Sequence, residues 1–132
     1  MTAPSGISTV TVNNDASLVL TDSTITAVGG GTGTTGLMQI SGTSALNGVT
    51  ITSTATGAAR GVEVRSGTMT IGSSDTGATH ITATSTGTSS GAGTALRAIG
   101  SGAIINATDA ILEASGQSTN TSSGAYTSSG GT

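Results

Sequence analysis

The chain contains no cysteine, no tryptophan, no phenylalanine and no lysine, with a single proline and a single aromatic residue, Tyr126, in 132 residues. Without cysteine there are no disulfide staples and no thiolate metal sites, and the redox compartment stays open. Three arginines are the only side chains of fixed positive charge, too few to neutralise a phosphate backbone, so a nucleic-acid partner is excluded. No apolar run approaches the roughly 18 residues that span a bilayer, which argues against direct membrane insertion by this segment. The opening Met1-Thr-Ala-Pro-Ser-Gly6 has neither the basic stretch nor the apolar core of a signal peptide. A domain of this length usually buries several aromatic rings. Here the interior has to be filled some other way.

What is present is serine and threonine, roughly a third of the chain and far above ordinary usage, together with 22 glycines and a net charge of only −3. Disorder is the obvious reading of such a composition. It is opposed by the low net charge and by β-branched apolar residues that recur in register. The clearest marker is an isoleucine after a short polar turn: Asp22-Ser-Thr-Ile25-Thr, Gly48-Val-Thr-Ile51-Thr, Gly77-Ala-Thr-His-Ile81-Thr and Asp109-Ala-Ile111-Leu. The spacings are 26, 30 and 30 residues, within the range of solenoid repeats. Before each isoleucine stand two further short stretches holding apolar residues separated by one position, with a polar residue between them in Val10-Thr-Val12, Val62-Glu-Val64 and Met69-Thr-Ile71 and with Val19 between Leu18 and Leu20.

The pattern predicts an all-β chain: a single-stranded parallel β-helix of about four coils with three short strands per coil, covering approximately 7–36, 37–61, 62–94 and 95–125. Residues 126–132 are read as the start of a truncated coil or a tail. Coils stacked at strand spacing, about 4.8 Å, pair their backbones with one another and align equivalent side chains in columns. The columns expected inside are Val12, Ile40, Val64 and Ala98 for the first strand and Leu20, Leu46, Ile71 and Asn106 for the second. The third is expected to stack Ile25, Ile51, Ile81 and Ile111. Aliphatic columns fill a narrow lumen without rings. Uncapped coil ends would leave unpaired backbone groups, so end-to-end self-association is expected.

Tight bends are supplied by Asn13-Asn-Asp15, Ser41-Gly-Thr43, Ser66-Gly67 and Gly100-Ser-Gly102, and before each isoleucine by Asp22, Asn47-Gly48, Asp75 and Asp109. At such bends Asp and Asn ordinarily bond their own backbone, so these are read as structural and not as a carboxylate site. The third connection is Gly-, Ser- and Thr-rich and varies in length, which is where a solenoid usually carries specificity. Gly30, Thr32, Thr34, Arg60, Thr86, Ser89, Thr119 and Asn120 are the candidate binding-loop residues.

No catalytic, cofactor or metal site is expected. His80, the only histidine, precedes an inward isoleucine and should face solvent, without a placed partner for acid–base work or a ligand set for a metal. The outward column Thr11, Gln39, Glu63, Arg97 sets Glu63 against Arg97 on adjacent coils, an ion-pair ladder expected to contribute a few tenths to about 1 kcal/mol. Arg65 neighbours the same face. Thr24 and Thr26 stack over Thr50 and Thr52, but the series then continues as His80 and Thr82, then Ala110 and Leu112. An ice-binding hydroxyl face should persist along the coils, so threonine's β propensity is the simpler account.

The run Ala16-Ser-Leu-Val-Leu-Thr-Asp-Ser-Thr-Ile-Thr-Ala-Val-Gly29 and its repetition over roughly residues 7 to 125 resemble the coils of pertactin-like autotransporter passenger domains of Gram-negative bacteria. The resemblance implies a right-handed helix displayed at the bacterial surface, or released from it, by a membrane β-barrel. It further implies an adhesin or scaffold whose loops meet a host-cell surface protein or glycan. Extracellular localisation rests on this resemblance alone. An integrin-type Arg-Gly-Asp is not present, since Arg60-Gly61 is followed by Val62. The alternative from the enzyme class is a polysaccharide-binding or -cleaving β-helix of the pectinase or tailspike kind, which usually lines its groove with the aromatic and acidic side chains scarce here.

Overall fold

The computed structural model describes residues 8–31, 33–88, 91–117 and 121–132. Every regular element among them is a β-strand. The first turn of the solenoid consists of β1 (Ser8–Val12), β2 (Ser17–Thr21) and β3 (Thr24–Gly29), the second of β4 (Thr34–Gln39), β5 (Thr43–Asn47) and β6 (Thr50–Ala55). The third holds β7 (Ala59–Val64), β8 (Gly67–Gly72) and β9 (Thr79–Ser85), and the fourth β10 (Gly93–Ile99), β11 (Ala103–Ala107) and β12 (Ala110–Gly116). A last strand, β13 (Ser123–Ser128), opens a fifth. Strands pair in parallel with their counterparts one turn away, giving three sheets: A, β1-β4-β7-β10-β13; B, β2-β5-β8-β11; and C, β3-β6-β9-β12. The chain is therefore a parallel β-solenoid of about four turns with three strands per coil. Each coil opens a little earlier than the apolar pairs imply, at Thr34, Ala59, Gly93 and Ser123, because small residues at the corner already join the ladder.

The columns form the core. In sheet C, Ile25, Ile51 and Ile81 are paired in register and buried. In sheet B, Leu20, Leu46 and Ile71 stack in the same way. In sheet A, Val10, Leu37, Val62 and Leu96 form one column, and Val12 and Val64 belong to another. Full burial of a branched aliphatic side chain is worth about 1.5–3 kcal/mol, and the column arrangement repeats that gain at every turn.

Three assignments read from the sequence are corrected. Ile40 does not belong to the Val12 column: Gln39 pairs with Val12 and Val64, and Ile40 lies past the strand end, 36% exposed. Gln39 is held there because its Nε2 donates to the carbonyls of Gly42 and Ser66, both at 3.0 Å, stapling two bends from inside. Ile111 is 44% exposed and pairs with His80, while Leu112 takes the slot beside Ile81. The Leu20 column ends in Ala107 instead of Asn106. In each case apolar or small neighbours made two registers one residue apart look alike, and a one-residue slip exchanges the two faces of a strand. The outward threonine series on sheet C consequently ends in Ile111 and Glu113.

The bends are left-handed where the sequence supplies Asp or Gly. Asp15 (φ 57°), Gly42 (90°), Gly67 (81°) and Gly100 (102°) follow the first strands, and Asp22 (47°), Gly48 (62°) and Asp109 (50°) follow the second. Asp75 departs from this series, sitting in a longer turn closed by an antiparallel bridge between Ser74 and Gly77.

Candidate functional site

The strands of sheet A do not alternate strictly. In β7, Ala59 is buried, Arg60 half-buried, Gly61 and Val62 both buried, and β10 repeats this pattern with Gly93, Thr94, Ala95 and Leu96. The ladder pairs Arg60 with Thr94 and Val62 with Leu96 and leaves Gly61 and Ala95 out. Gly61 must be small: a Cβ there would collide with Cγ2 of Ile81 and stand 2.7 Å from the carbonyl oxygen of Ala95. Two consecutive inward residues reverse the parity of the strand, as a bulge does. Residues three apart, Arg60 and Glu63 or Thr94 and Arg97, thereby share the outer face of the sheet.

All three arginines of the chain converge on Glu63 as a result. Arg65 Nε donates to its Oε1 at 2.8 Å and Arg97 Nη1 to its Oε2 at 3.1 Å, with Arg60 Nε 3.3 Å from the same Oε2. Glu63 is 1% exposed beneath them, whereas the side chains of Arg60, Arg65 and Arg97 remain 30%, 52% and 26% exposed. Three guanidiniums on one carboxylate leave a local charge of +2 on a chain whose net charge is −3. Burial holds the Arg60 guanidinium below its ordinary pKa; Glu63 opposes this, and the like charges of Arg97 and Arg65 reinforce it.

Beside the cluster lies an open cleft of about 400 Å³, floored by the outward residues Arg60, Thr94, Arg97, Ser123 and Tyr126. Its rim comes from the connections between sheets C and A, through Ala58, Ala92 and Thr121. The guanidinium carbon of Arg97 stands 5.7 Å from the centroid of the Tyr126 ring, within cation–π range. Tyr126 itself is 46% exposed. Its position follows from register, since it continues the column Met38, Glu63, Arg97. Met38, and not Gln39, is the second member of that outward column.

Among the described loop residues chosen from sequence, only Arg60 lines this cleft. Thr34 is corrected: it begins β4, is 2% exposed and its backbone N–H bonds Ala58, so it cannot meet a partner at the surface. The Gly30 carbonyl accepts from the N–H groups of Gly33 and Gly57, tying two turns together. Thr86 is exposed, with its N–H and hydroxyl both donating to the Ala55 carbonyl. Thr32, Ser89, Thr119 and Asn120 lie outside the described residues. His80 faces solvent as expected.

A second polar cluster gathers at the bend between sheets B and C. The Asp22 carboxylate accepts from the hydroxyls of Ser74 and Thr76, two turns away, through the gap left by Gly48. Those two hydrogen bonds, Ser74 first, hold its pKa below the usual carboxylate value. Ser73 donates to Asp109 at 3.4 Å. Hydroxyl partners make this a bend lock, and no group of three His, Asp or Glu suited to a metal occurs among the described residues.

Arg65 was already legible on the face of Glu63 and Arg97, but the approach of Arg60 was missed in the sequence because strict alternation sets Arg60 and Glu63 on opposite faces. The available signal was Gly36, Gly61, Ala95 and Gly124, a small residue at the same place in successive first strands. No family model matches the chain, and neither curated proteins nor solved structures provide a match.

Proposed function

We propose that the chain is a non-catalytic extracellular binding module, a segment of a bacterial autotransporter passenger that serves as an adhesin or surface scaffold and contacts a host protein or glycan. The observation that supports this reading best is coincidence of place. The longer, Gly-, Ser- and Thr-rich connections between sheets C and A border the same cleft into which two of the chain's three arginines, Arg60 and Arg97, project. A rigid stack that holds contact groups at fixed spacing favours repeated surface contact without a covalent step. The resemblance of the coil phrases to pertactin-like passengers supplies the cellular setting.

A glycan array combined with a reducing-sugar release assay tests the proposal. Retention of specific glycans without release of reducing ends is the expected outcome. Turnover would replace this reading with that of a polysaccharide-cleaving β-helix.

A further inference from the structure

We infer that the cleft over sheet A is a binding site for an anionic saccharide, a pyranose carrying a carboxylate, with Arg60 and Arg97 on the carboxylate and Tyr126 against the sugar ring. The inference rests on the binding-module reading and names its ligand class. Glu63 is the only carboxylate among the contacts of the three arginines, and it is already shared by all of them. Each guanidinium carries five N–H donors in a planar fork. One ion-pair contact to Glu63 apiece leaves the outward edges of Arg60 and Arg97, both lining the cleft, with donors to spare. A surplus of +2 in a half-desolvated setting is completed by an anion, and a carboxylate matches the fork geometry in two parallel hydrogen bonds.

The remaining walls select a sugar over an acidic peptide. Thr94, Thr121 and Ser123, all hydroxyl-bearing, line the cleft, and Tyr126 presents an exposed ring beside Arg97. A glutamate side chain would engage the guanidiniums and leave these other groups idle. A hexuronate or sialic acid uses all three features: the carboxylate on arginine, ring hydroxyls on Thr and Ser, and the apolar face of the pyranose on the aromatic ring. The volume of about 400 Å³ lies in the range of small-ligand sites, about 300–1,000 Å³.

The test is an NMR titration of the 15N-labelled chain with glucuronate, and in parallel with glucose, glucosamine 6-sulfate and a tetra-glutamate peptide at matched ionic strength. Glucuronate is expected to shift the amides of Arg60, Thr94, Arg97, Ser123 and Tyr126, and glucose to leave them in place. Arg60→Gln and Tyr126→Ala should each weaken glucuronate binding about tenfold, equivalent to about 1.4 kcal/mol. Arg60→Gln leaves Glu63 paired with Arg65 and Arg97, and Tyr126→Ala removes the ring beside Arg97 but no ion-pair partner of Glu63; if the first fails to fold by circular dichroism, the second decides. Equal response to glucose, shifts elsewhere, or binding unchanged in Tyr126→Ala overturns the inference. Tetra-glutamate binding as tightly as glucuronate and unaffected by Tyr126→Ala assigns the cleft to an acidic protein and overturns the saccharide. A sulfate arm equal to glucuronate overturns the carboxylate preference. Neutral glycans retained on the array equally by wild type and Arg60→Gln would preserve the binding module while removing this site. No retention and no glucuronate shift would remove both.

Discussion

Glu63 shows how far a single side chain can depart from its sequence context. Flanked by two valines on a strand, it reads as an exposed rung opposite Arg97, and that pairing is present. The added contacts of Arg60 and Arg65 turn the rung into a covered carboxylate. Removing its charge leaves three guanidiniums facing each other. Glu63→Gln should cost about 2–3 kcal/mol, less than the roughly 3–5 of breaking a fully buried pair because the arginines are partly solvated. Urea unfolding followed by circular dichroism measures this; a loss under about 0.5 kcal/mol would return Glu63 to the status of a surface rung. Asp22 gives a pH dependence of known sign. Its folded pKa is lowered by the Ser74 and Thr76 hydroxyls, so its stabilising contribution is fully present above the unfolded value, about 3.9, and is lost as pH falls through the folded one. An NMR titration of the Asp22 carboxyl should place its midpoint below the ordinary aspartate value. In Asp22→Asn, acid unfolding should become less steep.

At the scale of the element, a period of two identifies strands but cannot always fix their register. Leu37-Met-Gln-Ile40 and Ala110-Ile-Leu112 each admit two alternations one residue apart. The winner is set by ladder neighbours in other coils: Gln39 by its bonds to Gly42 and Ser66, Leu112 by the place beside Ile81. Where the alternation is unambiguous, as at Ile25, Ile51 and Ile81, the inward column is legible directly. This contrast yields a paired prediction. Ile81→Asp buries an unpaired charge at a fully enclosed position against Gly61 and should abolish the cooperative thermal transition. Ile111→Asp, at an exposed position beside His80, should shift stability by no more than about 0.5 kcal/mol. Melting curves of the two variants check the register; equal tolerance of both would refute it.

For the whole molecule, a repeat of 26 to 30 residues is enough to announce a stacked architecture, and the three parallel sheets follow. What spacing cannot convey is which groups meet across turns, because that depends on the parity break at Gly61 and its equivalents. The arginine cleft is built from residues as far apart as Arg60 and Tyr126, brought together only when registers across three coils are known.

The placement of Asp22, Asp75 and Asp109 at or beside the bend between sheets B and C, away from the arginines of sheet A, makes the molecule an electric dipole transverse to the solenoid axis. Although its total charge is negative, a nearby anionic surface exerts a torque that turns sheet A toward it. The aligning field is effective within about 8–10 Å at physiological salt. Orientation would then precede contact, and encounters that begin on sheets B and C would be disfavoured before any side chain touches.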